Sequence, residues 1–442
     1  NEESRHFAHY IRHISDVTKR RVHGGFISEA TRRTLSLRYQ ILDLEGMIQN
    51  IINEVWENGD EALRRFTKEY DHADIDTIEV SKAEIEAAAL SVDKELLAAL
   101  ELSAGRIRNF HQRQHTALLE AAKAMDAEQM YRPLSRVGCY APGGTAFYPS
   151  SVLMTAIPAK VAGVTEIGLV TPPGADGRVP SPTLAAAKLA GVDHVYRIGG
   201  AQAVAALAIG TKSVPKVDKI CGPGSIFVTV AKRLLYGMVA IDGLQGPSEV
   251  FIIADDTSNP LFIAADMMAQ AEHDPLATTV LATTSERVAE AVAAELNRSV
   301  ESLSRQFVIH QSLSNMSCIA IVASLEEAVE LSNMYAPEHL LMLNADAEQL
   351  VSKIQHAGCV FIGDKASVAF GDYIAGPSHV LPTSGTARFS SPLNILDFLK
   401  IIDVVRVDDA MIKELGPAAA TIAHAEGLTA HENTLRLRME AL

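Results

Sequence analysis

Cysteine is scarce in this 442-residue chain, and none of the four, Cys139, Cys221, Cys318 and Cys359, stands in a C-x-x-C pair. That spacing excludes a zinc ribbon and a thioredoxin-like motif, leaving packing thiols in a reducing compartment as the expectation. No apolar run is long enough to cross a bilayer, and the first residues lack a basic-then-apolar signal pattern, so no membrane partner is expected. Positive charge is also short. Lys and Arg number 39 against 54 Asp and Glu, a formal net charge of −15, which argues against a nucleic-acid partner. A complete G-x-G-x-x-G is missing, so the usual dinucleotide fingerprint is absent. The chain begins with Asn1, and the expected location is the cytoplasm, or an organelle interior should a targeting segment have been removed.

What is present is an ordinary globular composition, 48% hydrophobic and 21% charged, over a length that calls for two or more compact units. The first 130 residues read as mainly helical, with helical spacing from Leu44 to Phe66, interrupted at Asn58-Gly59-Asp60, and again from Lys94 to Leu119. After Arg132 the period changes. Val137–Tyr140, Glu166–Thr171, His194–Ile198 and Lys216–Cys221 read as strands, with helices at Pro182–Ala190, capped by Ser181, and Gln202–Ala208. A second alternating set follows: strands at Glu249–Ala254, Thr278–Thr283, Cys318–Val322 and Cys359–Ile362, helices at Leu261–Gln270 and Glu286–Leu296. Such alternation implies parallel βαβ units. The expected fold class is α/β, with two open Rossmann-like parallel-sheet domains at 132–243 and 244–390. A helical segment at 1–131 and another at 391–442 flank them. The two α/β sets could be distant duplicates.

Five short runs carry chemistry: Gly246-Pro247-Ser248-Glu249, Gln270-Ala271-Glu272-His273-Asp274, Pro337-Glu338-His339-Leu340, Gly371-Asp372-Tyr373 and Leu428-Thr429-Ala430-His431. Asn259-Pro260 starts a helix on which Gln270 and His273, three apart, share a face near the C-terminal end. An amide oxygen and an imidazole can bind an ion if Asp372, placed after a Gly at a strand end, and His431 complete the set. Mixed N and O donors without thiolate favour zinc. The alternative is a helix-end His that caps carbonyls. Glu338 and His339, read as loop neighbours, offer a carboxylate to activate water and an imidazole to move protons, or else a solvated Glu beside a half-buried His. His379 is a further loop imidazole. Gly222-Pro223-Gly224-Ser225, Pro142-Gly143-Gly144 and Gly199-Gly200-Ala201-Gln202 are turns where backbone amides could approach a phosphate, or simply tight βα connections.

Taken together and in order, these motifs resemble the histidinol dehydrogenase family. The matches include Gly138-Cys139-Tyr140-Ala141-Pro142-Gly143-Gly144, Gly199-Gly200-Ala201-Gln202-Ala203, Gly246-Pro247-Ser248-Glu249, Gln270-Ala271-Glu272-His273, Tyr335-Ala336-Pro337-Glu338-His339-Leu340, Gly371-Asp372-Tyr373 and Glu426-Gly427-Leu428-Thr429-Ala430-His431. The resemblance implies an NAD-linked zinc oxidoreductase of histidine biosynthesis that takes L-histidinol through the aldehyde to L-histidine. On it, Gln270, His273, Asp372 and His431 are the ligands of one zinc ion per subunit, and Glu338 and His339 the acid/base pair. Ser248, Glu426, His339 and the metal ligands line the substrate pocket, and Tyr140, Gln202 and Ser225 touch NAD. The family is an intertwined homodimer with shared active sites, which would place Glu426 and His431 in the neighbour's site. Ser225 replaces the family's usual Asn, and Gln245 its usual Ala. These departures keep two alternatives open: a paralogue acting on another small polar alcohol, and a non-catalytic binding protein on the same fold.

Overall fold

The computed structural model describes residues 11–13, 44–124, 129–143 and 147–442. Most of the first 43 residues of the expected N-terminal helical segment, and Gly144 of the Pro142-Gly143-Gly144 turn, lie outside the described residues. The chain divides into two compact units, one made of residues up to His115 together with Pro133–Leu399, the other of Thr116–Arg132 with Lys400–Leu442.

Thirteen strands are described: β1 (Ile11–His13), β2 (Gln129–Pro133), β3 (Arg136–Tyr140), β4 (Glu166–Val170), β5 (His194–Tyr196), β6 (Lys219–Cys221), β7 (Ala240–Ile241), β8 (Glu249–Ala254), β9 (Thr278–Thr283), β10 (Cys318–Ile321), β11 (His339–Met342), β12 (Cys359–Ile362) and β13 (Leu399–Asp403). In the first unit they form a five-stranded sheet, β5-β4-β3-β6-β7, and a six-stranded sheet, β1-β10-β9-β8-β11-β12. Every pairing in both is parallel. Leaving β1 aside, each sheet places its first strand in the middle and its third at one edge. The order is the same in both, as expected of two Rossmann-like halves.

Both faces of the second sheet are covered. Val250, Ile252, Ala254, Leu281 and Leu341 belong to one apolar cluster, and Phe251, Ile253, Val280, Ala282 and Leu340 to another. Successive strand residues point to opposite faces, so a sheet buried on both sides needs the unbroken apolar runs seen here. The first sheet packs through Val170, Tyr196 and Ile220 onto helix Gly200–Ile209 and the helix over residues 44–58.

The sequence reading differs from the structure at several boundaries. Ser181 is not the cap but the first residue of helix Ser181–Ala190, whose N-cap is Pro180. Asn259 does cap its helix, Pro260–Ala271, accepting from Leu261 N–H at 3.0 Å. The second unit is not purely helical: β13 pairs with β2, and helices Asp409–Ala425 and Thr429–Glu440 follow. Among the described residues no helix is long and apolar enough to cross a membrane.

Asp71, which ends helix Asp60–Tyr70, carries a buried carboxylate oxygen with no hydrogen-bond partner. Burial pushes its carboxyl up to about 6, with His72 pulling weakly the other way. The folded state therefore favours the protonated form. The stability this contributes is complete below the ordinary carboxyl pKa and is lost as pH rises through about 6. Asp71→Asn mimics the protonated form. It is expected to raise the melting temperature by a few degrees at about pH 8 and to leave it nearly unchanged at about pH 4; thermal scans across that range check this.

Candidate active site

Glu338 lies in the bend before β11, but His339 belongs to the strand and not to a loop. His339 opens β11, and the strand's register against β8 pairs it with Val250, one residue after Glu249. The main chain of Glu249 therefore meets both side chains. Its N–H donates to Glu338 Oε2 at 2.8 Å, and its carbonyl accepts from His339 Nδ1 at 3.0 Å. Because a carbonyl can only accept, Nδ1 carries the proton, and in the neutral ring Nε2 keeps the lone pair. Glu338 is 6% exposed and His339 4%, so neither has the solvated surroundings that would make the pair ordinary.

The charges here are coupled. His339 Nε2 lies 3.7 Å from Asp372 Oδ1, and Nδ1 lies 3.4 Å from Glu338 Oε2. Burial opposes the imidazolium, but the Glu338 and Asp372 carboxylates outweigh it and hold the His339 pKa well above the ordinary value. Burial likewise opposes ionisation of Asp372, yet the hydrogen bond and charge of His339, with His379 and His273 beyond, keep its pKa low. Asp372 is thus an ionised carboxylate ringed by imidazoles.

The predicted ligands sit differently from their sequence placement. Gln270 is in the last turn of helix Pro260–Ala271, but His273 lies beyond its end, in the following turn. His273 Nδ1 donates to Ala269 O at 3.0 Å, again leaving Nε2 as the nitrogen that can accept or ligate. Asp372 is in the short helix Val368–Tyr373, not at a strand end. That helix is tied to the Gln270 helix by Ser367 Oγ, which donates to Asp266 Oδ1 at 2.6 Å, and is braced by Ser103 Oγ, which donates to Tyr373 O at 2.5 Å.

Gln270, His273, Asp372, Glu338, His339 and Ser248 all line one cavity of about 480 Å³. Gln270 Oε1 is buried without a hydrogen-bond partner, an orphaned acceptor at the wall of a polar cavity. Among the described residues no three His, Cys, Asp or Glu side chains cluster closely enough to hold a metal ion. Of the four predicted ligands one is an amide, and His431 belongs to the second unit. His431 and Glu426 are both exposed there, in helix Thr429–Glu440 and at the end of helix Asp409–Ala425.

The opposite wall comes from the first sheet. Pro223, Gly224, Ser225 and Ile226 follow β6, Pro142 follows β3, and Tyr148 and Ser151 begin helix Pro149–Val161. This is the crevice at the carboxyl ends of the two central strands, where open α/β sheets bind ligands. Ser225 is the N-cap of helix Ile226–Leu235 but makes no capping bond with its side chain, and a helix start suits a phosphate. Tyr140 and Gln202 are buried behind this wall and do not line the cavity; the Tyr140 hydroxyl accepts from Gly200 N–H at 2.9 Å. His379, whose role the sequence left open, does line it. Its Nδ1 donates to Asp372 O at 2.9 Å, and its Nε2 lies 3.4 Å from Ser151 Oγ. Reading the sequence missed the anchoring role of Glu249, because a main-chain contact across a strand pair leaves no signal in residue identity.

Comparison with known proteins gives these residues a context. Residues 37–439 match the family profile described as histidinol dehydrogenase. The chain is 55% identical over 421 residues to the histidinol dehydrogenase of Dehalococcoides mccartyi strain CBDB1, covering 95% of this chain and 97% of that protein. Against the histidinol dehydrogenase of Methanocaldococcus jannaschii it is 46% identical, covering 89% and 92%. The crystal structure of histidinol dehydrogenase from Elizabethkingia anophelis superposes with a TM-score of 0.84 at 35% identity, covering 90% of this chain and 92% of that one.

The wall carrying Asp372 has little slack. A Cβ on Gly371 would fall 2.5 Å from the tip of the Phe361 ring, whose centre lies 6.1 Å from that of His339. Gly371→Ala is expected to destabilise the fold by about 1–3 kcal/mol through overpacking, measured by denaturant titration, and to lower turnover more than Gly46→Ala, a change at a helical glycine with nothing within 4 Å.

Proposed function

The chain belongs to the histidinol dehydrogenase family, and we propose that it oxidises L-histidinol through the aldehyde to L-histidine in the cytoplasm, with zinc held at the cavity and two NAD consumed in turn. The observation that carries this reading is the convergence of a buried Glu338–His339 pair and the orphaned Gln270 amide oxygen on a single cavity. The donor set fits a zinc ion. Gln270 Oε1 lacks a partner, His273 has its Nδ1 committed to Ala269, and Asp372 is held ionised. His431 would be the fourth ligand and Glu426 a contact for the substrate's ammonium group, both supplied by a second copy of the chain in a homodimer with shared sites. When bound, zinc would hold the substrate in one pose as a Lewis acid, and NAD would accept the electrons of each step.

The chain's own residues do the proton work. His339, with Nδ1 donating to the Glu249 carbonyl, is neutral at Nε2 once the charge of Asp372 is engaged by the metal, as its place in the ligand set would have it, and there takes the alcohol's proton as the C–H bond is oxidised. Glu338, fixed by the Glu249 N–H, draws a proton from the water that adds to the aldehyde carbon, while His339 returns its proton to the carbonyl oxygen, giving the hydrate and freeing Nε2. His339 then takes the hydroxyl proton of the resulting hydrate as the second pair of electrons leaves. Two NAD are reduced, four electrons are transferred, and the acid is released. Ser248 lines the substrate side of the cavity. Ser225 lines the cofactor side, and Tyr140 and Gln202 would support the cofactor from behind it.

Purified zinc-loaded protein mixed with L-histidinol and NAD should produce two NADH per histidinol consumed, followed by absorbance. No NADH would contradict the reading. One NADH per substrate, with aldehyde left over, would contradict the second step. Glu338→Gln is expected to slow oxidation of the aldehyde by about 10²-fold or more, as for loss of a general base, while slowing alcohol oxidation far less; equal losses would argue against its role with water. His273→Asn should lose most bound zinc by elemental analysis, and normal metal content would remove it from the ligand set.

A further inference from the structure

Lys232 is the largest of the fully buried side chains among the described residues. It stands on helix Ile226–Leu235, outside the cavity, and its partner Asp242 is just as enclosed, with side-chain exposures of 1% and 2%. Lys232 Nζ donates to Gly222 O at 2.6 Å, to Asp242 Oδ1 at 2.7 Å and to Gln245 Oε1 at 3.3 Å, so three ammonium protons meet three acceptors. Asp242 in turn accepts from Gly222 N–H through Oδ2 at 2.7 Å and from Gly243 N–H through Oδ1 at 2.9 Å. One ion pair therefore grips both polar groups of the Gly222 main chain.

No residue with a side chain fits at Gly222, so its main chain has to be held by neighbouring groups. Its φ is +112°, and a Cβ there would fall 2.2 Å from the carbonyl oxygen of Tyr140. A buried ion pair is a weak source of net stability, since desolvation offsets most of the attraction. What this one supplies is geometry. On one side, Gly222 opens the turn that ends at Ser225 in the cavity wall. On the other, Gln245 is held twice by the same helix, through its side chain by Lys232 and through its carbonyl by Thr229 Oγ1 at 2.9 Å. From Gln245 the chain runs through Gly246 and Pro247 to Ser248 and to Glu249, whose main chain holds the acid/base pair.

We propose that Lys232 is a positioning residue for the dinucleotide: with Asp242 and Gln245 it clamps the Gly222–Ser225 turn against the Gln245–Glu249 segment, so that cofactor and acid/base pair meet at a set distance. Lys232 touches neither substrate nor cofactor. The dinucleotide part rests on the proposed function; the clamp itself does not.

The test uses Gln245→Ala, which removes one acceptor, and the double variant Lys232→Met with Asp242→Asn, which removes both charges without stranding either. Backbone hydrogen exchange over residues 219–226 is measured on the ligand-free protein, and KM is measured separately for NAD and for histidinol on the zinc-loaded enzyme. The double variant should exchange faster over 219–226 and show a KM for NAD raised about tenfold, the scale of one lost positioning hydrogen bond, with the KM for histidinol within about twofold. Gln245→Ala should move the same quantities less, in the same direction. Unchanged exchange over 219–226 in both variants, or KM values for NAD and histidinol that rise together, would overturn the clamp. Wild-type protein that makes no NADH would overturn the proposed function instead, and the exchange measurement would still decide the clamp.

Discussion

The site depends on one peptide. Glu249 begins β8, and because β11 pairs beside it in parallel, its N–H faces the Glu338 carboxylate and its carbonyl faces the His339 ring. A strand pair buried on both faces cannot slip by a residue without turning its apolar side chains the wrong way. The clusters on either face of the second sheet therefore set the register, and the register sets how the Glu338 and His339 side chains are held. The tautomer of His339 and the placement of Glu338 follow from packing some distance from the chemistry. The carboxylate of Glu249 is tied in its turn, accepting from Ser384 N–H at 3.1 Å, while Thr383 Oγ1 accepts from Gly246 N–H at 2.6 Å.

Two sheets of the same strand order meet at this cavity in opposite senses. The first presents the carboxyl ends of its central strands, through Pro142 and the Gly222–Ser225 turn. The second presents the amino ends, through Ser248, Glu338 and His339. Only the first follows the usual placement of ligands in open α/β sheets. The helix after β8 runs back toward the amino ends, which is why its last turn delivers Gln270, and the turn beyond it His273, to the same place. On the proposed function, a phosphate-suited crevice on one side and a polar donor set on the other would divide the labour between the two halves. The shared strand order is also what an old duplication would leave.

Much of this was legible in the residues. Strands with continuous apolar runs, such as Glu249–Ala254 and Thr278–Thr283, were read at their observed limits, because burial on both faces forces that pattern. Gln270, His273, Asp372, Glu338 and His339 were picked out by residue type and do share a cavity. The local settings were harder. β11 has only four residues and follows Pro337, so Glu338 and His339 read as a loop. Gly371 and Asp372 read as a strand end because Gly371 lies in its helix for close packing against Phe361, not for a turn. The Lys232–Asp242 pair gave no signal, since a lysine near a helix C-terminus ordinarily reads as solvated. Main-chain hydrogen bonds such as those of Glu249 depend on register, which residue identity alone does not encode.

On the proposed function, Gln270, His273 and Asp372 share one metal ion, with His339 facing the alcohol that is oxidised. A crystal of the protein soaked with zinc and L-histidinol tests it most directly, through the anomalous signal of the metal. One strong peak is expected within about 2.0–2.2 Å of Gln270 Oε1, a His273 nitrogen and an Asp372 oxygen, with the substrate hydroxyl turned toward His339 Nε2. A peak elsewhere, or substrate bound with its hydroxyl away from His339, would contradict it.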